Sequence, residues 1–447
     1  MAVGSSPRPV LSMSDEEFEA WRHVQDDAAD RVAAVLMESH LAHTVYPALG
    51  RIGQNHADVT VHAFGATAED IENDAEYHRL TEVMRAYYAD TSLFPTSDSD
   101  LAAIRRGCTF FDLHAGDCLF SLTLRSLLKQ YSAARATNVL TATRLIVDYP
   151  HRRIIETLQF VADVMDADGM EPHRYAKRSI QNLRLVHALI RYRINRRKRD
   201  PEHNDSSIAL VWDDSWGAPI NQQDMIFAIH TFSVEVIDGL LAHGTKLSQQ
   251  MIDDYYYTWH LYGRALGVHD AINPTTYDEG KAVQERIYRN EFKPNPNALV
   301  LTPPLITFAQ QLLPFSPSKT HIYAMIKKFN DKKDYKPVFK DILGIDLKGA
   351  HVGWLGLYFA IEEMLHFVRR IGFLLTPRKD KKTYLHRLAH RNMSMITSLI
   401  SIEKTWSGKH FRIVDGFGES ASKIDAKKIG TQPTFFNRFF SWLKLST

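Results

Sequence analysis

KRSIQNLRLVHALIRYRINRR, residues 177–197, is the stretch on which the reading of this chain turns. Apolar side chains recur at Ile180, Leu183, Ile190 and Ile194, and His187 falls in the same series, at steps of three and four. That spacing is helical and puts all five on one face. Arg184 and Arg191 stand three residues before and four after the histidine, at the edge of that face. A neutral imidazole in an apolar wall suits an axial ligand of haem iron, and flanking guanidinium groups suit haem carboxylates. The same pattern fits a histidine that merely packs in a core. On these residues alone both readings stand.

Working outward, helical signals recur almost everywhere. Ser14 and Glu17 form a capping box that opens the first helix. Pro150 suits the first turn of a helix striped by Ile154, Leu158, Val161 and Met165. Asn221 can cap a helix carrying Met225, Ile229, Phe232 and Val236 that stops near Gly244, and Ser248 can cap the next, which carries Ile252, Tyr255, Trp259 and Tyr262 and reaches Gly267. Alternating strand patterns are scarce, so the expected fold is all-α. KPNPNALVLTPPLI (293–306) holds four prolines and reads as a break in any helix, hence as a boundary. The expected organisation is a disordered stretch 1–13, a helical core 14–300, an accessory helical region 301–414, a polar linker 415–433 and an aromatic tail 434–447. That tail, TFFNRFFSWLKLST, is too short to span a bilayer and suits either an interfacial anchor or docking onto its own domain.

Composition sets the outer limits. At 447 residues and 45% apolar content the chain can bury a large core, and a net charge of +2 argues against dedicated nucleic-acid binding. Cys108 and Cys118 are the two cysteines, with no C-x-x-C-H, so a haem would be held without covalent attachment. So few cysteines fit a reducing compartment. The N-terminus lacks the apolar segment of a secretory signal, and no run is expected to reach a membrane span; the expected location is cytoplasmic, with membrane contact through 434–447.

Other constellations compete. Glu363 and His366 share one turn, but the second such pair of a di-iron site is missing from the sequence. His386 with His390, and His40 with His43, have spacing for zinc but lack its catalytic glutamate. RYRINRRKR (191–199) could meet nucleic acid, or simply complement the end of the His187 helix as a solvated face. Aromatic YYYTWHLY (255–262) suits a pocket wall or a core equally. Arg152 and Arg153 lie four and three residues before Glu156, the spacing of an exposed ion pair worth about 0.3–0.5 kcal/mol.

Three stretches resemble the latex clearing protein (rubber oxygenase) family and its relative, the endoplasmic-reticulum-bound oxygenase of mycophenolic acid synthesis. They are HRRIIETLQFVADVM (151–165), RSIQNLRLVHALIR (178–191), and WGAPINQQDMIFAIHTFSVEVIDGLLAHG (216–244) running into YYYTWHLYGRALGVHDAINP (255–274). Order and spacing match over roughly residues 100–300. The resemblance implies a globin-like helical core around haem b, with dioxygen as co-substrate and attack on a carbon–carbon double bond of an apolar substrate. It makes His187 the proximal ligand, joined by Arg184 and Arg191 as cofactor-binding groups. It also matches Arg153, Glu156 and Thr157 to a distal Arg-x-x-Lys-Thr motif, with glutamate where the rubber-cleaving members have lysine. That difference implies a substrate other than rubber. A non-catalytic haem carrier or gas sensor on the same histidine, and a haem-free helical interaction protein, are the alternatives.

Overall fold

Short-range signals start the helices, and long-range packing decides how they lie. The computed structural model describes residues 10–55, 59–143, 150–171, 174–202, 208–312, 318–348 and 350. Glu363 and His366, His386 and His390, the polar segment 415–433, the tail 434–447 and residues 1–9 lie outside the described residues.

Helix α1 (Asp15–Ala20) opens on the Ser14–Glu17 capping box, and α2 (Asp27–Met37) on Asp26, whose side chain accepts from the Ala29 N–H. Helices α3 (Ala42–Asn55), α4 (Ala68–Asn73) and α5 (Glu76–Ala89) complete an N-terminal layer. The long α6 (Asp98–Ser121) passes through a π-helical turn, Leu122–Ser126, into α7 (Leu127–Tyr131). After α8 (Thr137–Ala142) come α9 (Pro150–Val164) and α10 (Tyr175–Arg199), the helix of His187. Then follow α11 (Gln222–Phe232), α12 (Val234–His243), α13 (Gln249–Ala265), α14 (Tyr277–Glu291), α15 (Pro296–Leu312) and α16 (Lys319–Phe329). Among the described residues the fold is all-α, and an isolated bridge between Ala133 and Phe292 is the nearest approach to β structure.

Asn221 and Ser248 cap α11 and α13 as their side chains allow, accepting from the N–H groups of Asp224 and Met251. Two expectations need correction. The helix after Asn221 does not run unbroken to Gly244: it divides at Ser233, whose φ and ψ are −110° and −78° and whose hydroxyl donates to the Ile229 carbonyl at 2.9 Å. The proline-rich stretch 293–306 is not a break, because α15 runs through most of it. Asn295 accepts from the Ala298 N–H at 2.8 Å, Pro296 occupies the first turn where its missing N–H costs nothing, and Pro303 and Pro304 are carried within the helix. Leu301, Leu305, Ile306 and Phe308 bury its inner face. The segment Gln222–His243 is also long and apolar enough to cross a membrane, contrary to expectation. Most of it is buried in the protein, and it carries Glu235 in ion pairs with Arg125 (2.7 Å) and Lys129 (3.5 Å), as a core element does.

The centre of the bundle is the crossing of α6 and α13. Tyr255, Tyr256, Trp259 and Tyr262 are all fully buried there, with Phe110 tilted over Tyr255 at 4.6 Å between ring centroids. The aromatic run 255–262 is therefore mainly core. The two backbones approach at Gly107, where a Cβ would stand 2.1 Å from Thr258 Oγ1 and 2.8 Å from the Asp254 carbonyl oxygen. Backbone cannot yield as a flexible side chain does. Gly107→Ala should therefore lower stability by about 1–3 kcal/mol, as overpacking of a closed core does, read as a lower urea midpoint; an unchanged midpoint would show that the helices can separate freely.

Candidate active site

Two neighbouring helices bring the sequence-derived residues together. Ser179 on α10 donates to Asp163 on α9 at 2.6 Å, which ties the two elements near one end. Ile154, Leu158 and Val161 on α9, Met165 just after it, and Ile180, Ile190 and Ile194 on α10, are all buried. The apolar stripes read from the sequence are thus the faces that seat each helix, and they carry His187 and the Arg153–Thr157 segment inward with them.

His187 is half-buried, and its Nδ1 is a buried atom without a hydrogen-bond partner. Loss of solvent around the ring pushes the imidazole down to about 3, and the positive charges of Arg191 and Arg153 push the same way. The ring is therefore neutral at physiological pH, the form in which imidazole binds a metal.

Arg153 and Glu156 form an ion pair within one turn of α9. The pair is no solvated helix face: the carboxylate is 4% exposed and the guanidinium 28%. Thr157 donates its hydroxyl to the Arg153 carbonyl at 2.9 Å, so its oxygen keeps lone pairs free to accept. Arg153 also acts on Tyr131 of α7, a fully buried phenol that burial pushes up and the guanidinium draws back. Nothing in the sequence around KQYSAA marks Tyr131 as a neighbour of this segment.

The arginines that flank His187 each meet an aspartate of α2, a partnership invisible in the sequence. Arg184 is held along one edge by Asp26, through Nε at 2.6 Å and Nη2 at 2.8 Å. Arg191 is 3% exposed and donates from Nε to Asp30 at 2.7 Å. Its Nη2 is buried and has no partner. The Nε–Nη2 edge is closed on one guanidinium and half open on the other, on either side of the same imidazole. Gly267, at φ +90°, lets the backbone pass close to the closed pair: a Cβ there would stand 2.3 Å from Asp26 Oδ2 and 3.1 Å from Arg184 Nε.

The competing constellations fare differently. Among the described residues no group of three or more His, Cys, Asp or Glu side chains is arranged to hold a metal ion. His40 pairs with Asp74 at 2.6 Å on an exposed surface. Cys108 and Cys118 are buried free thiols, and burial pushes both upward, away from the thiolate an iron would require. In the basic run 191–199, Lys198 pairs with Asp214 and Arg193 lies over the Tyr46 ring at 5.6 Å. Much of that charge serves the surface of the fold.

The fold is similar to a solved structure described as latex clearing protein LCP in the closed state, with a TM-score of 0.52 and 18% identity. The likeness covers 83% of this chain and 91% of that one. The chain finds no match among curated proteins. Residues 114–381 match the catalytic domain described as ER-bound oxygenase mpaB/B'/Rubber oxygenase. The match spans more than half of the chain, includes His187 and the Arg153–Thr157 segment, and continues past the proline-rich stretch at 293–306. The chain belongs to this oxygenase family and carries its catalytic domain.

Proposed function

We propose that this oxygenase is haem b-dependent, that His187 would hold the iron, and that the enzyme acts on an apolar substrate with a carbon–carbon double bond. The observation that carries the reading is a neutral imidazole with an orphaned buried Nδ1, flanked by one closed and one half-open guanidinium. A haem site needs those two features together: a ring nitrogen free of a proton, and cations for the cofactor's carboxylates. The residues present therefore fit the group. Bound there, haem would supply the activation of dioxygen, and the protein would supply binding, orientation and electrostatics.

The division of labour follows from the geometry. His187 would give a ring nitrogen to iron, and it stays neutral because loss of solvent, aided by the charges of Arg191 and Arg153, opposes its protonation. Arg191 would present Nη2 to one cofactor carboxylate, while Arg184, held through Nε and Nη2 by Asp26, keeps the ligand helix in place. Glu156, buried against Arg153, can hold or release a proton at its carboxylate, and Thr157 offers an acceptor oxygen one residue on. The lysine that the resemblance leads one to expect at position 156 would bring a positive charge. The glutamate brings a negative one, so proton handling differs from the rubber-cleaving pattern.

Three outcomes test this reading. Protein from haem-supplemented cells should show a Soret band, and His187→Ala should lose it through loss of the strong axial ligand; stoichiometric haem with an unchanged spectrum in the variant would remove His187 from the role. Glu156→Gln should keep haem and its band but turn over an alkene panel about a hundredfold more slowly, the lower range for general acid–base catalysis. Full activity in that variant would return Glu156 to a structural pair, and absence of alkene turnover by haem-loaded wild type would favour a carrier or sensor.

The third outcome concerns acid stability of the haem-free chain. The folded imidazole titrates near 3 and an unfolded one near the reference of about 6.5. The neutral ring's contribution is thus fully present above about pH 6.5 and is lost as pH falls toward 3, because the unfolded chain takes up the proton first. Urea unfolding of His187→Phe should show a smaller drop between pH 7 and pH 5 than wild type. Equal drops would mean that the ring is solvated.

A further inference from the structure

Helix α2 lies outside the residues matched to the catalytic domain, yet it meets α10 on both sides of His187. Asp26 and Asp30 are four residues apart on α2, and they engage Arg184 and Arg191, seven apart on α10. The two pairs are not equivalent. Asp26 takes both Nε and Nη2 of Arg184 and leaves that edge without capacity for another anion. Asp30 takes only Nε of Arg191. A guanidinium is planar, so anchoring Nε fixes the plane and with it the direction of the remaining donors. The Arg191 side chain is 3% exposed, and Nη2 remains a buried donor with no partner, one helical turn from His187. A buried donor of a charged group left unfilled is costly, and an acceptor supplied by a ligand would relieve that cost.

We propose that Asp30 is a positioning residue of the haem site: by holding Nε it orients Arg191 so that Nη2 receives one carboxylate of the cofactor beside His187. The inference rests on the haem reading above. It assigns a functional part to an N-terminal helix beyond the matched catalytic domain, and it makes the site depend on a carboxylate that never touches the cofactor. A purely structural Asp30 would tie α2 to α10 and affect every ligand alike. A positioning Asp30 matters only for a ligand that has carboxylates.

The test compares ferric protoporphyrin IX with its dimethyl ester, in which both carboxylates are masked, by Soret titration of the full-length haem-free chain. Wild type should prefer the free acid by on the order of tenfold, the scale of one charge-assisted hydrogen bond. Asp30→Ala should lose most of that preference while binding the ester as wild type does, and Asp30→Glu should restore it. Arg191→Lys, which keeps the charge and a partner for Asp30 but lacks the fork, should also lose it, and serves if Asp30→Ala does not fold. An unchanged or larger preference in Asp30→Ala overturns the proposal, since Asp30 would then be a bystander or a competitor for Arg191. Equal wild-type affinity for acid and ester overturns it too, while leaving His187 as ligand. Failure of wild type to bind either porphyrin overturns the haem reading and this inference with it.

Discussion

A helix as cationic as Tyr175–Arg199 can line a core only if its inward guanidinium groups meet carboxylates. The organisation around His187 follows from that requirement. Desolvating a lone guanidinium costs several kcal/mol, and a well-placed carboxylate offsets it. Asp26 and Asp30 on α2 supply that for Arg184 and Arg191, and Glu156 on α9 supplies it for Arg153. The Arg191 and Arg153 pairs place positive charge close to His187 without leaving the core with a net charge. The imidazole, which has no such partner, remains neutral. The same economy that lets the helix be buried produces a metal-competent nitrogen.

A second charged centre stabilises the other side of the bundle. Arg125, in the π-helical turn after α6, donates to Glu235 at 2.7 Å and to the Phe329 carbonyl at 3.0 Å. Lys129 reaches Asp334 at 2.9 Å, and Tyr288 donates to the other Glu235 oxygen. Lys129 and Arg125 hold Glu235 below the ordinary carboxylate range although burial alone would raise it. The extra residue of a π-turn re-aims side chains relative to an ordinary helix, and here it lies where Arg125 must reach α12 and the end of α16 together. Gly239 answers it from α12, since a Cβ there would stand 1.9 Å from Ser121 Oγ and 3.2 Å from the Arg125 side chain. The apolar segment Gln222–His243 is therefore locked into the protein by charge as well as by packing.

What could be read from the sequence was what is local along it. Ser14, Asn221 and Ser248 are caps because their side chains reach an N–H three residues away, and Pro150 starts α9 for equally local reasons. The stripes of α9 and α10, and hence the nearness of His187 to the Arg153 segment, were legible as periodicity together with the family resemblance. The break at Ser233 was not, since a buried serine bonding to its own helix leaves no compositional mark. Nor was the continuity of Pro296–Leu312, where packing outweighs two prolines that propensity alone would treat as a stop. The spacing of Arg153 and Glu156 showed a pair but not its depth. Depth depends on what covers a helix face, and that comes from elsewhere in the chain.

The partners of the flanking arginines are the clearest case. A guanidinium three or four residues from a candidate ligand invites assignment to the cofactor, and spacing carries that idea no further. Asp26 and Asp30 are about 160 residues away, in a stretch that reads only as an acidic helix start, as favours any helix dipole. Contact between such segments is fixed by tertiary packing, and it changes what each arginine can do. Bidentate pairing fills the Nε–Nη2 edge of Arg184, whereas a single bond at Nε leaves Arg191 with a fixed plane and a buried Nη2 without a partner. Two residues that look alike in sequence thus differ in chemistry through the number of donors their aspartates occupy.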